Sequence, residues 1–126
     1  MKSNDNSKGG KLRTEDHGIH AKYFVKYIHG LKVERIKIVA ITTQNEPLNR
    51  KNTPSMLMPA EEEARFIKDY LGPAFKEARI RPKIILYDHN CNVPDYAISI
   101  LNDPLAYRYV DGSDFHLYEG EIDAMS

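Results

Sequence analysis

One cysteine, Cys91, in 126 residues excludes an internal disulfide framework, and no cysteine and histidine array has the spacing of a zinc site. Tryptophan is absent altogether. Charge of one sign is not in excess either: 18 basic and 18 acidic residues give a formal net charge of zero, so no overall field steers the chain toward nucleic acid or an anionic membrane. No apolar run approaches the roughly 18 residues that span a bilayer, and the first residues are polar rather than a charged-then-apolar leader. Small neutral partners fit these absences best. Compartment is not legible from them, and nothing calls for a cofactor.

What is present is a chain long enough to bury the core of one domain, with 41% hydrophobic residues. Residues 1–11 are rich in Ser, Asn, Gly and Lys without periodicity, and read as a flexible N-terminal segment ahead of an ordered unit over 12–126. Ala21, Phe24, Val25, Ile28 and Leu31 recur at helical spacing, predicting an amphipathic helix from about Glu15 to Leu31 that terminates near Gly30. Ile36 to Ile41 is β-branched and nearly continuous in apolar character, as in a strand covered on both faces. The polar stretch from Leu48 to Ser55 reads as a loop leaving that strand.

A second helix is expected to start near Pro59, with Glu61, Glu62 and Glu63 as charges suited to the positive end of its dipole and with Pro73 kinking it. Lys83 to Tyr87 is the next strand, ending in Asp88-His89-Asn90. A short helix follows over Asp95 to Leu101. Asp103-Pro104 then marks an N-cap and first-turn proline for a helix to Val110, before a third strand over Ser113 to Tyr118. Helix and strand alternate, which predicts βαβ crossovers and a parallel sheet.

In each expected strand the apolar run gives way at its carboxyl end to polar or titratable groups: Asn45-Glu46, Asp88-His89-Asn90, and His116 with Tyr118. Parallel α/β folds place their sites at that edge, so the three groups should converge. Capping and solvation are the competing explanation for each group taken alone. Glu46 stands out, because a carboxylate following a buried strand is partly desolvated and should take its proton more readily, toward the range of a general acid at neutral pH. Asn45 could bind a sugar hydroxyl through its amide or simply cap the turn.

Ile41-Thr42-Thr43-Gln44-Asn45-Glu46-Pro47 resembles the segment around the acid/base of glycoside hydrolase family 30, the glucosylceramidase-like (β/α)₈ enzymes. The tripeptide Asn-Glu-Pro is common. The length of the match makes it specific: Tyr23 to Ile28 before it, Pro54-Ser55-Met56 and Ala64 to Ala74 after it, and Tyr87 to Asn90, Leu101 to Pro104, Tyr109 to Gly112 and His116 further on resemble the family in order and spacing. Even Met1 to Asn4 resembles the family's stretch after its third barrel strand.

The resemblance implies an α/β fold, a partial (β/α)₈ TIM barrel of about three β/α units corresponding to family strands four to six. It implies retaining cleavage of a β-glucosidic bond, with carbohydrate or sphingolipid metabolism as the setting, a β-glucoside or glucosylceramide-type substrate as the partner, and family members that are often secreted or lysosomal. Glu46 matches the acid/base; Asn45, Asp88, His116 and Tyr118 match positions lining the sugar subsite. The family nucleophile, a glutamate on the seventh strand, would fall beyond this chain, so the chain alone is expected to be inactive. Glu119 and Glu121 do not match the nucleophile segment and read as solvated.

Thr53, Cys91 and Leu117 stand where the family usually or often has an aromatic residue. Aromatic faces stack on sugars, so their loss weakens a carbohydrate subsite and keeps open a second reading, a non-catalytic sugar-binding or structural remnant of the same fold. A third reading takes Asp88, His89 and His116 as metal ligands; two histidines from different strands are more often hydrogen-bonded structure, and no metal is expected.

Overall fold

The computed structural model describes residues 1–125; Ser126, the last residue of the expected ordered unit, lies outside the described residues. Three strands, β1 (Ala40–Thr42), β2 (Lys83–Asn90) and β3 (Gly112–His116), form one parallel sheet in that order. Helix α1 (His17–Val33) precedes β1. The first crossover is one long helical stretch made of α2 (Ala60–Phe66), a π turn (Ile67–Leu71) and α3 (Gly72–Glu77); the second consists of α4 (Asp95–Leu101) and α5 (Pro104–Tyr107). The core lies between sheet and helices, where Leu86 and Tyr87 of β2 meet Phe66, Ile67, Leu71 and Ile100.

The long stretch explains itself locally. Pro73 has no amide to donate and its ring crowds the carbonyl four residues back, so the chain loosens into a π turn just before it and continues as a helix. The expected kink is thus a local widening. Asp103 caps α5 as expected, its Oδ1 accepting from the amide of Leu105 at 2.9 Å, although α5 stops at Tyr107 rather than Val110.

Four expectations are corrected. Helix α1 does not end at Gly30 but runs to Val33. It closes through Arg35 at φ +62°, with Ile36 N–H donating to the Leu31 carbonyl (2.9 Å) and Arg35 N–H to that of Lys32 (3.0 Å), the usual glycine closure made by an arginine. Arg79, at φ +54°, closes α3 in the same way. β1 is shorter than the apolar run Ile36 to Ile41 and is not covered on both faces: Val39 is 64% exposed and Ala40 is exposed. Its start is matched to that of β2, which begins at Lys83, just after Pro82, a residue that cannot donate to a ladder.

β2, in contrast, is longer than expected, and β3 ends at His116 instead of Tyr118. Tyr87 pairs with Asp114 and His89 with Phe115, leaving Asp88 as an extra residue in a parallel-strand bulge. Tyr87 (φ +74°) and Asp88 (φ +49°) take left-handed backbone there. The segment 1–11 contains no helix, yet it is bonded to the loop beyond β1. Gly9 N–H donates to Ser55 Oγ at 2.9 Å, Leu57 N–H to the Gly10 carbonyl at 2.8 Å, and Leu12, just after it, is in the core.

Candidate active site

At the carboxyl end of β1 the chain passes through the buried Thr43 into a tight turn in which Glu46 itself has φ +44°. Such a backbone persists only where its surroundings over-determine it. Glu46 N–H donates to the Asp88 carbonyl (2.8 Å), Asn49 N–H to the Glu46 carbonyl (2.8 Å), and Met58 N–H to the carbonyl of the buried Pro47 (2.8 Å).

Three side chains from the three strand ends then form a row. His116 Nε2 lies 2.8 Å from Asp88 Oδ1, and its Nδ1 lies 3.4 Å from Glu46 Oε1. Glu46 Oε2 accepts from Asn49 Nδ2 at 2.8 Å and from the amide of Asn52. The side chains of Glu46 and Asp88 are each 12% exposed and that of His116 is 21% exposed.

The electrostatics reverse one expectation. Burial is the largest influence on Glu46 and pushes its carboxyl up, but hydrogen bonds from Asn49, His116 and Asn52, with the nearby charge of His89, together hold it below its ordinary value. The sequence carries the desolvation and not the donors. Burial likewise pushes the His116 imidazole down, and the bond and charge of Asp88, followed by those of Glu46, more than offset it and leave His116 above the ordinary histidine value. The row therefore sets an imidazole that takes its proton more readily than usual between the Glu46 and Asp88 carboxyl groups.

Of the other expected residues, Asn45 is exposed beside the turn, and Tyr118 is 81% exposed, its ring edge-on to His116 at 5.7 Å. Neither is brought into the row. His89 lies beside the row without bonding to it: its Nδ1 accepts from Asn90 N–H at 2.8 Å and its ring stacks on Tyr87. A metal set of Asp88, His89 and His116 is therefore not formed. Asp114 approaches Asp88 and His116 instead, with one ligand atom of each within 4.8 Å of the others, but Asp88 and His116 already bond one another. A cavity of about 720 Å³ opens beside the Glu46 turn; Asn45 and Asn52 line it and the three row residues do not.

Three contributors escape a reading of the sequence. Asn49 and Asn52 look like loop punctuation until the turn brings them to Glu46. Glu63, expected as a charge suited to the positive end of the helix dipole, is fully buried and accepts from the Thr43 hydroxyl. Its helical phase gives it away, since Phe66, Ile67 and Leu71, three, four and eight residues on, are all buried.

The profile of the glycosyl hydrolase family 30 TIM-barrel domain matches residues 1–125. The chain belongs to that family. Its three-stranded sheet is accordingly part of a TIM barrel, and the three strand ends that hold the row lie at the edge where such barrels place their sites. An endo-1,6-β-D-glucanase of Neurospora crassa is 39% identical over 104 residues, 82% of this chain and 21% of that protein. The lysosomal acid glucosylceramidase of Mus musculus is 30% identical over 107 residues, 81% of this chain and 21% of that protein. Among solved structures, the endo-β1,6-glucanase BT3312 superposes with a TM-score of 0.94 at 38% identity, covering 96% of this chain and 28% of that one. The family 30 chain thus spans about a fifth of the length of these curated relatives.

Proposed function

We propose that this chain supplies the acid/base half of a retaining β-glucosidase site, with Glu46 as the acid/base and with Asp88 and His116 as the groups that orient it and meet the sugar. The observation that carries this reading is the Glu46–His116–Asp88 row, drawn from three successive strand ends of a family 30 barrel. Retaining cleavage needs one carboxylic acid to protonate the leaving oxygen and a second carboxylate, about 5 Å away, to form the glycosyl-enzyme. Glu46 as it stands here is the ionised partner, fit to take a proton from water in the second step. A nearby second carboxylate would lift its affinity for a proton, as the first step requires. Asp88 does not offer that second carboxylate, since His116 Nε2 occupies it at 2.8 Å. The chain alone should therefore show no turnover.

For the substrate, a β-1,6-linked glucan ranks ahead of glucosylceramide. The support is the higher identity to proteins named as endo-1,6-β-glucanases, 39% and 38%, than to the mouse glucosylceramidase, 30%. Gentiobiose, a β-1,6-linked diglucoside, should perturb the amide resonances of Asn45, Glu46, Asp88 and His116 at millimolar concentration, more than a short-chain glucosylceramide does. Perturbation confined to other residues would refute the site. Nitrophenol release from an aryl β-glucoside by the 126-residue chain, abolished in Glu46→Gln, would refute the predicted inactivity.

The non-catalytic reading draws on the exposed edge of the site: Asn45, Leu117 and Tyr118 face solvent, and Cys91, where the family often has an aromatic, is buried. Failure of both ligands to perturb any resonance would leave that reading in its purely structural form.

A further inference from the structure

We propose that Glu63 is a positioning residue for Glu46: from α2 it locks, through the Thr43 hydroxyl, the point at which the chain leaves β1 and turns into Asn45-Glu46-Pro47. This rests on the reading of Glu46 as the acid/base and adds the device that holds it.

Glu63 has no exposed surface, and none of the ion pairs among the described residues involves it. A carboxyl group buried that way normally gives up its charge. Burial pushes it far toward the neutral acid, Asp88 pushes in the same direction, and the donors around it, Thr43 first, only oppose this. Tyr96 of α4 responds to the same neighbourhood: its phenol is pushed up by burial and by Glu63, while its hydroxyl donates to the Met58 carbonyl at 2.6 Å.

The location matters more than the protonation. Thr43, 4% exposed, is the first residue after β1 and three residues before Glu46. The Glu46 turn, with its left-handed backbone, is tied on one side by the Asp88 carbonyl and on the other by Met58 N–H to Pro47. Thr43 to Glu63 is the tie at its start. Loss of that tie leaves a strained turn free to relax, and the carboxylate it aims moves away from His116.

One oxygen of Glu63, Oε1, accepts from Thr43, while Oε2 is buried with no donor in hydrogen-bonding geometry, although Tyr96 and the Tyr87 amide are close enough to act on the carboxyl group. Leucine in its place is expected to release the turn, with some loss of stability because the buried Thr43 hydroxyl loses its acceptor. Glutamine, which is neutral and can still accept from Thr43, is expected to hold both turn and fold.

The readout is the titration of the His116 imidazole in the 126-residue chain, followed by NMR. The groups facing that ring are Asp88, Glu46, His89 and Asp114. Glu46→Gln calibrates the measurement: it should lower the His116 midpoint by removing one carboxylate. Thr43→Val and Glu63→Leu should each lower it by at least about half as much, as a displaced carboxylate no longer favours the cation, whereas Glu63→Gln should leave it within error of the parent. If Glu63→Leu does not fold, Thr43→Val decides alone, since it removes the same bond with an isosteric side chain. An unchanged midpoint in Thr43→Val, with Glu46→Gln effective, overturns the role of Glu63. An unchanged midpoint in Glu46→Gln overturns the Glu46 site itself.

Discussion

Replacing Asp88 by asparagine keeps the shape of the row and removes the charge that His116 faces at 2.8 Å. A hydrogen bond to a charged group contributes about 1.5–3 kcal/mol, which at 1.36 kcal/mol per pKa unit lowers the His116 midpoint by about one to two units. The side chains are mostly buried, at 21% and 12% exposed, so solvent screening reduces this little. The same linkage acts on stability. His116 binds its proton more readily folded than unfolded, so the pairing stabilises fully below the ordinary histidine value of about 6.5 and fades as pH rises through the higher folded value. Urea unfolding followed by circular dichroism should therefore show Asp88→Asn weaker by about 2 kcal/mol near pH 6, with a smaller gap near pH 9. Equal His116 midpoints in the parent and the variant, or a stability gap that widens with pH, would refute the pairing of His116 with Asp88.

Replacing Asn49 and Asn52 together by alanine removes both side-chain donors from Glu46 Oε2, and the Glu46 carboxyl should rise by about one unit in a carbon-13 titration. Since a carboxyl held low stabilises above its unfolded value and loses this as pH falls through the folded value, the double variant should lose stability near neutral pH and match the parent in strong acid. Arg35→Gly and Arg79→Gly should each raise stability by up to about 1 kcal/mol, because glycine adopts the left-handed closure without steric cost; a loss in either would show that the arginine side chain matters more. Gly72→Ala should destabilise by about 1–3 kcal/mol, as its new methyl collides with the Tyr109 ring, and Tyr109→Leu in the same chain should recover part of it in thermal melts.

The helices were legible from residue spacing because their apolar residues face a single core. The strand limits were not. The start of β1 is matched to where β2 begins after Pro82, which is information held about forty residues away. β2 outlasts its apolar run because a bulge keeps Asp88-His89-Asn90 in the ladder, and no periodicity announces a bulge. At the site, Glu46, Asp88 and His116 were legible together because each follows an apolar run in a parallel fold and the resemblance covers all three. The direction of the Glu46 shift was not, since it depends on two asparagines brought in by the turn. Tyr118 lay past the end of the strand that would have aimed it inward.

The bulge in β2 has a further consequence for how this site tolerates change. Between Ile85 and Asn90 the strand carries one residue more than β3 has places opposite, and the residue left over is Asp88. A single deletion there would smooth the ladder while deleting the carboxylate that grips His116; a single insertion would bring a different side chain to its place. Substitutions at the rim of the site can accumulate one at a time, but a change of length at this point cannot be absorbed. The spacing from Leu86 to Asn90 is in effect a counting rule for the site, independent of which residues surround it.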